Sequence, residues 1–209
     1  ERHGPRFKID EPGLKGRFGT FFKDTFSLNL ADTQYQKLRN LRQAIKHQLI
    51  NLPHIGDVLP KSWVDIRKEL ADLLDKEQLR YMPQSRFIEV CKKHGITQVS
   101  KIQNLSDYFH TIGVFIHYQE DKVLKNTLFL DANWTTKTVY QLLNDAKIKD
   151  KNGRFSKADA QRIWKAEEHI LLIDELLQLL ERFSIAYNIK DTNHYIVPEH
   201  LPESQPYEQ

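Results

Sequence analysis

Between Asn104 and Leu143 the spacing of apolar positions changes twice. Leu105, Tyr108, Phe109 and Ile112 recur at the three-and-four spacing of a helix face, and the pattern predicts a helix that stops at Gly113. Alternation takes over from there. Val114, Ile116 and Tyr118 share one strand face, residues 119–126 form a polar tip, and residues 127–130 supply the returning strand. Asp131 then stands where an N-cap belongs, ahead of a helix carrying Trp134, Val139, Leu142 and Leu143.

The same reading extends to both sides. Residues 1–20 hold scattered apolar positions among early prolines and glycines and read as irregular, with a short helix over 12–18. Residues 21–30 alternate Phe26, Leu28 and Leu30 as a strand, and Asp32 caps a long amphipathic helix marked by Leu38, Leu41, Ile45 and Leu49. That strand and helix make an incomplete αβ unit over 1–51. The stretch 51–63 is a hinge by composition, with Pro53, Gly56, Pro60 and Trp63 as its signals. Ser62 with Asp65 reads as a capping box for a helix burying Ile66, Leu70 and Leu73, and Ser85 as the cap of a short helix burying Phe87, Ile88 and Cys91. After Asp131 the order repeats: a turn at Asn152-Gly153, a helix capped by Ser156 with Asp159, a third helix through Leu172, Leu176 and Leu180, and a hairpin of 185–189 against 194–197.

The fold class predicted is therefore α+β, mainly α. Two tandem winged-helix-like units, three helices plus a β-hairpin each, span about 60–130 and 131–198 within a domain over 52–202. A partial αβ tail precedes them and residues 203–209 form a tail or linker.

Composition narrows the class without naming a function. A chain of 209 residues with 40% hydrophobic content buries a sizeable core, and 31 basic against 28 acidic residues give no global case for nucleic acid or membrane. The single cysteine, Cys91, excludes an internal disulfide and a cysteine-based zinc site, and the setting expected is cytoplasmic. No apolar run approaches the ~18 residues that span a bilayer. With no initiating Met and a polar end, the chain reads as a piece of something longer.

Chemistry is sparse. No phosphate-binding GxxxxGK[ST] loop, GxGxxG, HExxH or GxSxG occurs, so no catalytic residue, metal ligand or nucleotide site is assigned. His110 and His117 read as structural, Glu167 and Glu168 as a solvated face, and Cys91 as a small buried hydrophobe despite Lys92 and Lys93 beside it. A winged helix suggests a DNA reader, the alternative function here, but its third helix in the second unit would expose Glu167, Glu168, Asp174, Glu175 and Glu181 to a phosphate backbone. A protein-facing scaffold fits better. Phe115, His117 and Phe129 are expected on the hairpin face opposite Val114, Ile116, Leu128 and Leu130, which makes a ribbon apolar on both sides. Either the second unit covers its outer face or a partner does.

Taken in order, LPHIGDVLPKSWVDIRKEL, YFHTIGVFIHY, LFLDANWTTKTVYQLL, NGRFSKADAQRIW and HYIVPEHLP resemble the N-terminal half of the COR domain of Roco proteins, over about residues 52–202. The preceding RFKIDEPGLKGRF and FFKDTFSLNLADTQYQKLRNLRQAI resemble the last strand and helix of the Ras-like Roc GTPase domain. The resemblance implies a non-catalytic regulatory module that couples the nucleotide state of Roc to dimerisation and to neighbouring domains, often leucine-rich repeats and sometimes a kinase. Its partners would be the Roc domain of the same chain, the C-terminal half of COR and a second copy in a homodimer, with no nucleic acid and no membrane. GTP and magnesium would bind upstream and this stretch would hold no cofactor; Asn29-Leu30-Ala31 departs from the family's guanine-approaching turn. By the same resemblance Phe115, His117, Leu128, Phe129 and Trp134 are expected to form the Roc interface, with the 53–63 hinge transmitting its state.

Overall fold

A computed structural model describes residues 9–28, 35–52, 56, 58–190 and 192–202. The chain divides into two compact units, Glu1–Val58 and Leu59–Gln209.

In the first unit Asp10 accepts the Gly13 amide and caps a helix α1, Glu11–Phe18, with Pro12 in its first turn. A helix α2, Tyr35–Ile50, carries the predicted apolar stripe, yet Ile45 and Leu49 stay half exposed. The strand expected over 21–30 does not form in its described part: Phe21 ends a 3-10 turn and 22–28 are irregular. A lone strand has no ladder to satisfy its amides, so alternation by itself does not hold it extended. Asp32, the residues 29–31 and Pro53, expected in the hinge, lie outside the described residues.

The second unit is built from two blocks of one plan. Helix α3, Lys61–Glu77, is followed by strand β1, Tyr81–Pro83, then helices α4, Gln84–Lys93, and α5, Val99–Thr111. After Gly113 the chain makes a single bridge at Ile116, and strand β2, Thr127–Phe129, closes the block. β2 pairs antiparallel with β1, Tyr81 opposite Phe129 and Met82 opposite Leu128, and meets Ile116 on its other side. The second block runs α6, Ala132–Leu143, α7, Ala146–Asp150, β3, Arg154–Ser156, α8, Lys157–Ile163, α9, Glu167–Ile170, α10, Ile173–Arg182, β4, Tyr187–Asn188, and β5, His194–Ile196. Its sheet order is β3-β5-β4. In both blocks the last strand to appear in sequence lies in the middle.

The expected scheme of three helices plus a hairpin is thus corrected. Each block has a strand between its early helices, and the first hairpin is a single bridge plus a three-residue strand. Two caps also differ. Pro60 takes the N-cap of α3 and Pro83 that of α4, neither with a side-chain bond, because a proline opening a helix sacrifices only amides that lack partners anyway. Asp131 does cap α6 through the Trp134 amide, and Ser156 with Asp159 makes the reciprocal capping box of α8.

Gly153 is one glycine that geometry demands. Its φ is +81°, and a Cβ there would collide with the Val197 carbonyl, whose own amide bonds the Gly153 carbonyl at 3.0 Å.

Two hydrophobic clusters fill the unit. One joins α3, α4 and α5 through Ile66, Leu70, Phe87, Leu105 and Phe109, with Phe115 and Leu128 from the ribbon. The other gathers Trp134, Val139, Phe155, Trp164, Leu176 and Leu180 of the second block, together with Leu124 and Phe129 of the first. Tyr81 and Ile116 pack against it.

Candidate functional site

The side chains expected on a partner-facing ribbon are buried in their own chain. Phe115, His117, Leu128 and Phe129 are each at most 2% exposed and Trp134 is 8% exposed. The pairing register explains why. Residues opposite one another share a face, so Ile116, Phe129 and Tyr81 lie on one side of the ribbon, with Met82 and Leu128 on the other. The face assignment made from alternation is corrected accordingly, since a slip of one residue exchanges the two sides. Phe115, Leu128 and Leu130 face the first cluster; Phe129, Leu124 and Ile116 face the second. The second block covers the outer face.

His117 is held at both ring nitrogens. Its Nδ1 lies 2.7 Å from the Ser106 hydroxyl and its Nε2 lies 2.8 Å from the Lys125 carbonyl, which it can reach only as a donor. Burial pushes its pKa below the ordinary 6.5; the Lys125 carbonyl and Asp107 pull upward and His110 downward. The neutral ring fits this cage. His169, buried beside Trp134 with its Nε2 3.2 Å from the Thr138 hydroxyl, is lowered too, by burial first, with Glu168 opposing and Arg80 adding.

Two charged junctions join the blocks. At the first, Arg80 donates to Glu168 at 2.9 Å, the Trp134 indole N–H donates to the same carboxylate oxygen at 3.2 Å, and the guanidinium lies 5.8 Å from the Trp134 ring centre. Glu168, expected to be merely solvated, is a bridge between blocks. Its spacing with Arg80 is 88 residues apart in sequence, and no local pattern carries such a pairing. At the second, the buried Asp121 accepts the Val123 and Leu124 amides and receives Arg182 from α10. Burial alone would raise this carboxyl; the two amides and the guanidinium outweigh it and hold its pKa below the ordinary value.

Of the residues expected to form a hinge, Gly56 has φ +101°, Pro60 opens α3, and the half-buried Trp63 packs on Tyr108 with ring centres 5.1 Å apart. Cys91 is fully buried and its thiol is pushed up to about 12 by burial, which leaves no nucleophile at neutral pH. Among the described residues no group of three or more His, Cys, Asp or Glu is placed to hold a metal, and no helix is long and apolar enough to cross a membrane.

The histidine cages have a consequence for stability. Both folded pKa values lie below the ordinary 6.5, so below that pH the unfolded chain takes up protons that the folded one refuses. Stability is present above 6.5 and is lost as pH falls through it toward the lowered folded values. Calorimetry from about pH 7.5 to 5.5 is expected to show a falling melting temperature, and His117→Gln with His169→Gln to flatten that slope. A melting temperature constant over that range would contradict the cages as drawn.

Among the places where apolar side chains reach solvent is a patch on α3 and beside Gly113. Arg67, Ala71, Leu74, Ile112 and Val114 line a shallow groove over Leu130. Val64, one turn earlier on the same helix face, is 52% exposed and Ile112 is 46% exposed.

Comparison with known proteins bears on what such a module does. The family model described as C-terminal of Roc, COR-A domain, matches residues 60–201. The chain is similar to the probable serine/threonine-protein kinase pats1 of Dictyostelium discoideum, 20% identical over 207 residues, which are 95% of this chain and 6% of that protein. It is also similar to the probable kinase qkgA of the same organism, 26% identical over 124 residues, 59% of this chain and 8% of that protein. The chain therefore spans less than a tenth of the length of these relatives. Among solved structures, Methanosarcina barkeri Roco2 RocCORdC bound to GDP matches with a TM-score of 0.68 and 20% identity, covering 94% of this chain and 60% of that one. At that identity the likeness shows the fold.

Proposed function

We propose, from the premise that this chain belongs to the COR-A domain family and is a COR domain of a Roco protein, that it acts without catalysis to couple an adjacent Roc domain to its neighbours. The match across residues 60–201 carries this reading. Roc of the same chain, the C-terminal half of COR and a second copy in a homodimer are its partners. GTP and magnesium are bound upstream, by Roc, in a cytoplasmic protein with further signalling domains. Both blocks set a strand among their helices and hold the last strand centrally, β2 between β1 and the bridge at Ile116 and β5 between β3 and β4, which supports describing each as winged-helix-like. A nucleic-acid role is disfavoured by the acidic Glu167, Asp174 and Glu175 on α9 and α10.

Burial of the ribbon moves the expected contact to an exposed surface, and the α3 groove, lined by neighbouring apolar side chains of the same unit, is one such surface. In the full-length parent, Val64→Glu with Ile112→Glu is expected to change GTP turnover or nucleotide-dependent dimerisation while the melting temperature holds. Both sites are half exposed, so the fold tolerates the charge. If turnover and dimerisation both stay at parental values, the groove is not the coupling surface.

A further inference from the structure

Residues 117–125 run between the blocks as a strap, tied by polar contacts to each of them. Toward the first block, the buried His117 is fixed by Ser106 of α5, and Gln119 donates to Asp107 and to the Gln103 carbonyl of the same helix. Toward the second block, Asp121 turns inward. It is 5% exposed, receives Arg182 Nε at 2.7 Å and Nη2 at 2.6 Å, and lies 3.3 Å from the Gln178 amide. The Arg182 guanidinium also sits 5.4 Å from the centre of the Tyr118 ring.

These ties differ in kind from the apolar seam beneath them. Hydrophobic contact is non-directional and lets packed faces slide, whereas a carboxylate held by a planar guanidinium fork and two amides has one geometry. The strap therefore constrains an angle that the seam leaves soft.

We infer that residues 117–125 are a mechanical coupling that fixes the two blocks at one angle, so that α5 and α10 turn together. This goes beyond the regulatory reading and is tested without a Roc domain, so either stands or falls alone. A movement at α3 and α5 is delivered to α10 as rotation of one body, and releasing Asp121 from Arg182 loosens the angle between the blocks, leaving Arg80 with Glu168 as the remaining charged tie, while each keeps its fold.

The test uses the 209-residue chain with spin labels at Glu89→Cys on α4 and Lys149→Cys on α7, both exposed positions. Cys91 stays unlabelled, being buried with its thiol pushed up to about 12. The parental chain is expected to give a single narrow distance peak. Asp121→Asn with Arg182→Gln, which removes both charges but keeps an acceptor for the Val123 and Leu124 amides, is expected to broaden or split that peak. Should that pair fail to fold, Arg182→Lys keeps the charge, loses the fork, and is expected to broaden the peak to a smaller extent. A peak unchanged in position and width in the folded variant, with only a lower melting temperature, overturns the coupling.

Discussion

Leu128→Asp is expected to unfold the second unit outright. Leu128 is fully buried, pairs with Met82 across the ladder and belongs to the cluster holding Phe115 and Leu105. Losing the leucine costs about 2–5 kcal/mol, as for truncations to alanine. A carboxyl group then has to be buried or protonated in its place, which adds further cost. Domains of this size hold only about 5–15 kcal/mol in total. Far-ultraviolet circular dichroism of the variant should therefore show no cooperative transition. A melting curve like the parent's would mean that this side chain is not in the core of the first block. The same substitution in a full-length parent would change nucleotide turnover through unfolding and so says nothing about contact with Roc.

Phe129→Ala is the second large effect, about 3–5 kcal/mol, and its signature is where the loss is felt. Phe129 is 1% exposed in the cluster of the second block, while its neighbours Leu128 and Leu130 sit in that of the first. One three-residue strand thus lines both interiors, and its backbone also carries the ladder to β1 and the bridge to Ile116. The variant should melt earlier, with both blocks still melting together. Single-tryptophan versions keeping Trp63 in the first block or Trp164 in the second would report the two separately. Coincident midpoints are expected; a first block that outlasts the second would show that the strand is not shared in energetic terms.

Much of this organisation was legible in the amino-acid order, for identifiable reasons. Asp131, Ser156 and Asp159 cap helices through bonds three residues long, so the chemistry is local and readable. The second hairpin was found because two short apolar runs, 185–189 and 194–197, stand on either side of a polar turn and are closed by Pro198. β1 and β3 were missed because three residues show no period, and Pro83 in β1 reads as a breaker although it pairs with Thr127. The ribbon's faces were exchanged because alternation gives parity while register decides which parity points where. Residues 21–30 alternate and still form no described strand, since a ladder requires a partner that periodicity cannot supply.

The candidate site was less legible than the fold. Phe115, His117, Leu128, Phe129 and Trp134 were recognisably special, but two apolar faces are equally the mark of a contact surface and of a layer between two cores. Only the long-range ties distinguish these, namely Arg80 with Glu168 and Asp121 with Arg182, and charged residues 60 to 90 positions apart leave no periodic trace. Ile112, which does reach solvent, had been taken as an ordinary member of a helix face.

The central place of the last strand has a consequence for biosynthesis. While the ribosome has released the chain only as far as Leu130, the first sheet is complete, yet Tyr81, Ile116, Leu124 and Phe129 await α6 and α10, which are still unmade. For the seconds needed to add roughly fifty more residues at about 5–20 per second, the nascent block carries an uncovered oily flank. That interval makes it a natural client for holding chaperones, and slowing translation after Asp131 should increase aggregation, whereas slowing it ahead of α3 should not.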